Sequence, residues 1–375
     1  GAGVTYGWGV VYWDNLLDML FNNDMESARQ IRAASRLWQE QDIRVGDNVA
    51  YLAGYGYSMT RAALIEILAD RARALGIEVI FNQPTDDLAA YADADIIVGA
   101  DGATSTVRGL REREFGTQLR GGHNRYMWLG TRKVFDRFTF AHELTDAGWL
   151  WFHAYPSSSE TSTCIVECTE ATWRAHGFGE HQSVTDTMGV LEKIFHRYLD
   201  GHPLISQSRG QTAHWQQFLE VTNATWCHQN VVLIGDAAHT THFTLGSGTR
   251  LALIDAVALA QSIYENPTAP GAALRMYEQR RRPALQVTQA TARASMAWFE
   301  NIDHYLDQDV TNFAYAMASR QGEEPFWRYQ QHLANQIPPV RAGRRHYHSA
   351  QRLYLAARRG QLPLVPLSLL RTLNR

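Results

Sequence analysis

The sequence predicts an α/β fold: a Rossmann-like domain, truncated at its N-terminus, interrupted by a second, mostly antiparallel sheet and followed by a helical C-terminal region. Three observations carry this. Ile96-Ile97-Val98 and Val231-Val232-Leu233-Ile234 are fully apolar, as strands buried in a parallel sheet should be. Each runs into a glycine and an aspartate, Gly99-Ala100-Asp101-Gly102 and Gly235-Asp236, at the strand end where such sheets bind ligands. Between them lie strand-like stretches at 126–134, 149–155 and 163–168 that belong to another sheet. The expected segments are 1–118 (first part of the nucleotide-binding domain, without its first strand), 119–220 (the inserted sheet), 221–300 (second part) and 301–375 (helical).

Along the chain, residues 7–11 are glycine-punctuated and then apolar. Residues 14–38 read as helical, with Leu16, Leu17, Leu20 and Phe21 at helical spacing. Residues 51–58 are rich in Gly and Tyr and read as strand or loop. Thr60 caps an amphipathic helix bearing Leu64, Ile67, Leu68 and Leu75, with Gly76 as its stop. Residues 77–81 read as a strand. Ser157-Ser158-Ser159 turns 149–155 back on 163–168 as an antiparallel hairpin. Helices are expected at 184–199, at 251–264 and through most of the chain from Ala272; the basic tail, 341–375, reads as a solvated helical face.

The 375 residues suffice for two domains or one composite fold. A composition of 45% hydrophobic and 19% charged residues is that of a soluble globular protein. A net charge of -3 gives no electrostatic reason to expect nucleic acid. No apolar run reaches the roughly 18 residues that span a membrane, and the run at 362–370 is broken by Pro363 and Pro366. No signal peptide is visible, and three cysteines, Cys164, Cys168 and Cys227, fit a reducing compartment, so a cytoplasmic location is expected. Cys164 and Cys168 share a strand face without a completing ligand pair, so they read as packing residues and no metal is expected. The sequence begins at Gly1 rather than Met, which reads as a processed product or a fragment.

The strongest motif is 231–239 with the glycine turn Gly246-Ser247-Gly248-Thr249 behind it. Glycines let backbone N–H groups approach a ligand closely. A helix start adds unpaired N–H groups and a positive dipole end. Together they form a cradle for a phosphate or an anionic ring, with Asp236 placed to accept from a sugar hydroxyl. The second motif is 95–108, an apolar strand ending in Gly-Ala-Asp-Gly with Ser105 and Arg108 beyond. Alone it is an ordinary strand-to-turn stop; paired with the first it is far more specific.

These two stretches resemble the Asp-Gly and Gly-Asp fingerprints of the single-component FAD aromatic hydroxylases, the para-hydroxybenzoate hydroxylase class. Thr60-Arg61-Ala62-Ala63-Leu64 resembles that family's arginine at a helix start. The stretches 6–11, 126–131, 165–170, 239–249 and 298–300 are similar to one branch, which contains salicylyl-CoA 5-hydroxylase, anthraniloyl-CoA monooxygenase and the violacein-pathway tryptophan hydroxylase. Phe243 stands where the wider class has a proline, as in that branch. The family opens with a strand and a G-x-G-x-x-G turn for the ADP half of FAD. Gly1-Ala2-Gly3 does not match it, so the chain as given is expected to bind FAD poorly unless an upstream segment exists in the natural protein.

The resemblance implies an FAD- and NAD(P)H-dependent monooxygenase that hydroxylates an aromatic compound with molecular oxygen through a flavin hydroperoxide. The implied substrate is an aryl-CoA thioester or an aromatic amino acid, and the expected state is monomer or homodimer, with no nucleic-acid or membrane partner. Implied cofactor contacts are Gly9, Val10, Arg61, Asp101, Gly102, Gly235, Asp236, Gly246, Ser247, Gly248, Thr249 and Arg250. Trp128, Tyr155 and Phe243 are the candidate substrate wall, and His153, His239 and His242 the candidate proton-handling groups. Two alternatives stay open. Trp149-Leu150-Trp151 resembles part of a flavin-halogenase signature, although Phe152-His153-Ala154 lacks the Ile-Pro that should follow. The other is a non-catalytic remnant that binds a ligand but no cofactor.

Overall fold

The computed structural model describes residues 8–179, 182–208, 210–322 and 324–360. Gly1-Ala2-Gly3, Tyr6, Gly7 and the apolar run at 362–370 lie outside them. The chain forms two compact units: Gly1–Phe81 with His123–Gln216 and Glu300–Arg375, and Asn82–Gly122 with Gln217–Phe299.

The first unit opens with β1 (Gly9–Tyr12), α1 (Asp14–Asn23), α2 (Met25–Ala34), β2 (Arg36–Val45), β3 (Asn48–Thr60) and α3 (Arg61–Ala74). The helix expected over 14–38 is therefore two helices and a strand. Asp24 breaks the run by accepting from Ser27 N and capping α2, and Trp38 is buried in β2 opposite Gly56 of β3. A Cβ at Gly56 would overlap the Trp38 ring, so only glycine lets the strands close there. Residues 77–81 form no strand, and Ile77 and Ile80 are exposed. Apolar alternation makes a strand only where a neighbour accepts its hydrogen bonds, and no described strand pairs with this one. Thr60 caps α3 through Ala63 N as expected, and Gly76 ends it at φ +78°.

In the second unit, β4 (Ile97–Gly99) is followed by α4 (Thr106–Gly109) and α5 (Glu112–Phe115). Strand β5 (Gln118–Thr131) then leads into β6 (Phe138–Thr145), β7 (Gly148–Pro156) and β8 (Ser162–Cys168). Next come α6 (Glu170–Ala175), α7 (Val184–Ile194), α8 (His196–Leu199) and three short strands, β9 (Leu204–Ile205), β10 (Gln207–Ser208) and β11 (Gln211–Thr212). The chain continues with β12 (Gln216–Thr222), β13 (Cys227–His228), β14 (Val231–Leu233), α9 (Gly248–Glu265) and α10 (Pro270–Glu300). It ends in α11 (Asp303–Leu306), α12 (Val310–Ser319), α13 (Phe326–Asn335) and α14 (Pro338–Arg358).

β1 pairs antiparallel with β3, β3 with β2, and β2 runs parallel to β6. This joins the N-terminal strands to the inserted sheet, in which β6, β7, β8 and residues 125–131 of β5 are antiparallel neighbours. The β7–β8 hairpin matches the sequence expectation; β1, β3 and β6 extend the sheet beyond it. Alternation gives the sheet two faces. One carries Met127, Leu129, Phe152, Ala154, Cys164, Val166 and Cys168, packed with Leu191 and Phe195 in an apolar core. Both cysteines are free, buried packing residues. The other face carries Trp128, Trp151, His153, Tyr155, Ile165 and Glu167.

In the second unit, β14 lies between β13 and β4, antiparallel to the first and parallel to the second. Val231, Val232 and Leu233 are buried with Leu251, Leu259, Leu274 and Tyr277 of α9 and α10. Among the described strands β4 pairs with β14 alone, and Val98 is 41% exposed rather than enclosed.

Candidate functional site

In the second unit the two glycine-acid turns are neighbours. The β4–β14 register sets Gly99 beside Leu233, so both turns leave the same end of adjacent parallel strands. Gly235 has φ +57°, the left-handed region, and a Cβ there would lie 3.0 Å from Ala252 Cβ. Glycine therefore serves the turn conformation and the close approach of α9 together. Arg108, buried on α4, binds the turns to each other: Nη2 donates to Ala103 O at 2.5 Å and Nη1 to Ala237 O at 3.0 Å. Asn223 Nδ2 donates to Ala238 O at 2.6 Å.

Asp101 is exposed, and its carboxylate accepts from Ser105 Oγ and from Val107 N at 3.1 Å, closing the turn onto α4. Gly102 follows at φ +88° with open space around it. Asp236 is exposed at the other turn, and its Oδ1 lies 3.8 Å from where a Cβ of Gly248 would stand. It therefore sits beside the first residue of α9. Gly246 ends the preceding 3-10 turn (Phe243–Leu245) at φ +62°. Ser247, the N-cap of α9, makes no side-chain cap, and its Oγ is shared with Thr241 Oγ1 at 2.9 Å. The first turn of α9 thus keeps donors for a ligand. Thr249 and Arg250 lie in that turn; burial, and then the nearby Arg281 guanidinium, lower the Arg250 pKa.

Behind the turn stands Asp255, fully buried. Its Oδ2 accepts from Gly235 N at 3.0 Å and bonds His239 Nε2 at 2.7 Å, while Oδ1 accepts from Arg281 Nε at 2.7 Å. Burial opposes its ionisation, but His239 and Arg281 outweigh it and hold the carboxyl below the usual aspartate range. His239 is buried against the Trp226 ring, 4.9 Å between centroids. It anchors the turn from behind. His242 is also buried, with Nδ1 2.8 Å from Thr244 Oγ1, which lies 2.8 Å from Ser295 Oγ. The Phe243 ring lies tilted against the His242 ring, 4.3 Å between centroids.

The first unit holds the other candidates. Arg61 opens α3 with its guanidinium 5.8 Å from the Trp128 ring centre, a cation–π approach. Gly9 packs so closely that a Cβ would lie 2.5 Å from Thr163 Oγ1, and its carbonyl accepts from Tyr155 Oη at 3.0 Å. Val10 is buried opposite Met59. Burial pushes the Tyr155 phenol up to about 12. His153 is buried with its ring 4.7 Å from Phe140, and Nε2 lies 4.0 Å from Glu167 Oε2. Glu167 accepts from Asn124 Nδ2 at 2.8 Å and Trp151 Nε1 at 3.1 Å; burial raises its carboxyl to about 7.

Sequence reasoning passed over Arg108, Asp255, Arg281 and Glu167 as site residues. Two had a signal: Asp255 is the lone charge in the apolar run 251–260, and Glu167 the lone charge in 163–168. Among the described residues no His, Cys, Asp or Glu trio is arranged to hold a metal ion, and no helix is long and apolar enough to cross a membrane.

The family profile described as "FAD binding domain" matches residues 62–293, more than half of the chain. The chain belongs to this FAD-binding family. The span takes in both glycine-acid turns and α9. Salicyloyl-CoA 5-hydroxylase of a Streptomyces species is 35% identical over 84% of this chain and 62% of its own length. A 3-hydroxy-4-methyl-anthranilyl-[aryl-carrier protein] 5-monooxygenase of Streptosporangium sibiricum is 34% identical over 80% of each chain. Protodeoxyviolaceinate monooxygenase of Chromobacterium violaceum is 30% identical over 71% of this chain and 70% of its own. The chain thus spans less than two thirds of the first of these relatives. The tetrameric form of 2-methyl-3-hydroxypyridine-5-carboxylic acid oxygenase shares the fold, with a TM-score of 0.64 over 80% of this chain and 82% of that one at 21% identity.

The turn cluster fits the ligand that the family name requires. Two left-handed glycines, an uncapped α9 start and the exposed Asp236 offer amide donors to an anion and an acceptor to a hydroxyl.

Proposed function

We propose that this protein is an FAD- and NAD(P)H-dependent monooxygenase that hydroxylates an aromatic ring, carried as a thioester of CoA or of a carrier protein. The observation that carries the reading is the pair of glycine-acid turns at one end of adjacent parallel strands, bound together by Arg108 and backed by α9. The thioester class rests on the two most similar relatives described above, which are named for aryl-CoA and aryl-carrier substrates.

Bound FAD supplies the oxygen activation and hydride acceptance that no side chain can. The chain's own residues supply binding and orientation. The amides at the start of α9, with Arg250, hold anionic oxygens, and Asp236 accepts from a hydroxyl. Asp255 keeps the Gly235 turn in its left-handed shape through the Gly235 N–H. On the sheet of the first unit, Trp128 and Tyr155 give a planar, water-excluding wall for a ring. His153, with Nε2 4.0 Å from the Glu167 carboxyl, is the candidate to take the proton of a phenol or aniline.

The test is spectroscopic and kinetic. The natural-length protein should purify with a flavin absorbance band. Its NADPH oxidation should quicken with an aryl-CoA thioester more than with free aromatic amino acids, yielding a hydroxylated product. Flavin without any ring-stimulated oxidation would count against the activity; a colourless protein would favour the non-catalytic remnant. Bromide added to the assay distinguishes the halogenase alternative, which the relatives above do not support, by the appearance of a brominated product.

A further inference from the structure

We infer that the hollow between β3 and the first half of α14 binds the terminal phosphate of a nucleotide-bearing reactant. Tyr51 of β3 lines one side of it, and Asn335, Arg341, Arg344 and Arg345 line the other, with Glu40 of β2 between them. All belong to the first unit. None belongs to the glycine-acid turns or to the aromatic wall described above.

Charge is the first argument. Glu40 is 4% exposed, and Arg345 Nη1 donates to both of its oxygens at 3.2 Å. Nε of Arg137, just before β6, and Nε of Arg341 approach the same carboxylate to 3.5 and 3.8 Å. Among the described residues no other carboxylate pairs with these arginines, and none pairs with Arg344. Residues 325–375 contain nine arginines and no aspartate or glutamate, so α13 and α14 supply no acid of their own. One carboxylate against three guanidiniums leaves two positive charges, and Arg344 adds to them. Partly buried charge is costly unless it is paired. A phosphomonoester brings close to two negative charges and three strong acceptor oxygens, and the guanidinium fork matches its geometry.

Hydrogen bonding is the second. Asn335, 6% exposed, has its Oδ1 buried with no hydrogen-bond partner, and so has Arg341 Nε. Buried polar atoms are nearly always satisfied. Two orphans at one hollow therefore mark a place where a ligand completes the set. The guanidinium N–H takes a phosphate oxygen, and the amide takes a hydroxyl of the sugar that bears it. The frame around them is held firmly. Gln336 Oε1 accepts from Tyr51 N at 2.9 Å, its Nε2 donates to Tyr51 O at 2.9 Å, and the Arg341 guanidinium lies 3.7 Å over the Tyr51 ring. Glu40 itself sits at φ +66°, where the β2–β3 register shifts between Gln39 and Gln41. A side chain in the left-handed region is strained, and such strain gathers at ligand clamps.

The site stands on these contacts alone; only the source of the phosphate rests on the function proposed above. That reading brings two reactants with a terminal phosphate on a ribose. One is the CoA of an aryl-CoA thioester, with its 3′-phosphate. The other is NADPH, with its 2′-phosphate. Each has a natural control that lacks only that group, 3′-dephospho-CoA and the unphosphorylated nicotinamide dinucleotide.

Isothermal titration calorimetry of the natural-length protein tests this with two pairs of probes: CoA against 3′-dephospho-CoA, and oxidised NADP against oxidised NAD. In one pair the terminal phosphate should tighten binding by about tenfold, the worth of one charge-assisted hydrogen bond, and the gain should shrink as salt rises. The pair that responds names the source. Arg344→Glu should abolish the gain and leave the affinity of the phosphate-free probe as it was. Circular dichroism and Tm should not change, because no described carboxylate depends on Arg344. Arg341→Gln should abolish the gain in the same way. Equal affinities within both pairs, or a gain that survives both variants, would overturn the site. The two readings fail separately. Ring-stimulated NADPH oxidation with equal affinities in both pairs would keep the enzyme and remove the site. Phosphate-dependent binding that both variants abolish, without turnover, would keep the site and remove the activity.

Discussion

Glu167 is the carboxylate whose surroundings depart furthest from water on the sheet of the first unit, and its behaviour with pH follows. Burial raises its folded-state pKa from 4.5 to about 7. Between those values the folded chain holds a proton that the unfolded chain has released. Its contribution is therefore complete below pH 4.5 and is lost as pH rises toward 7, by about 3 kcal/mol in all. Glu167→Gln stays neutral and should lack this loss: urea unfolding at pH 5 and pH 8 should show a shallower decline for the variant, and parallel declines would show that the carboxyl is not protonated in the fold. Asp255 is the opposite case. Its depressed pKa means its contribution is present at neutral pH and lost in acid as the carboxyl protonates. Asp255→Asn leaves the Arg281 guanidinium buried without its counter-charge and should cost about 3–5 kcal/mol; a loss under 1 kcal/mol by urea unfolding would mean that the pair is not desolvated. Neither residue stood out in the sequence as a site. A lone acid in an apolar run is visible there, but its partners, Asn124 and Trp151 for one and His239 and Arg281 for the other, come from distant stretches.

Among elements, the junction of β14 with α9 depends most on one backbone conformation. Gly235→Ala places a side chain at φ +57°, which costs about 1–2 kcal/mol, and brings its Cβ to 3.0 Å from Ala252. The variant should lose at least that stability and should retain less flavin than the parent when both are purified together; equal flavin content would separate the turn from cofactor binding. The short elements show what local pattern can and cannot decide. Helix α3 was legible because Thr60 and Gly76 mark its ends with their own chemistry. The break between α2 and β2 was not, because Arg36–Val45 becomes a strand through pairing with β3 and β6. Residues 77–81 show the converse: an apolar alternation without a described partner strand stays irregular.

At the level of the whole chain, cofactor binding and folding are coupled. A ligand held only by the folded state stabilises it by about 2.7 kcal/mol at one hundred times its dissociation constant. FAD should therefore raise the Tm of the chain by a few degrees, in proportion to the logarithm of its concentration; a Tm that is indifferent to FAD up to millimolar concentration would mean that this stretch of chain does not hold the cofactor. What the sequence determined by itself was everything that local chemistry encodes: the two apolar strands with their glycine-acid turns, the capped helix after Thr60, the β7–β8 hairpin and the family resemblance those residues carry. Only the tertiary structure decided which strand pairs with which. It joined β1–β3 to the inserted sheet, set β4 against β14, and placed His239 behind the turn on Asp255. The physical reason is that hydrogen-bond partners and buried ion pairs are contacts between residues far apart in the chain, and periodicity within one segment contains no information about its neighbour.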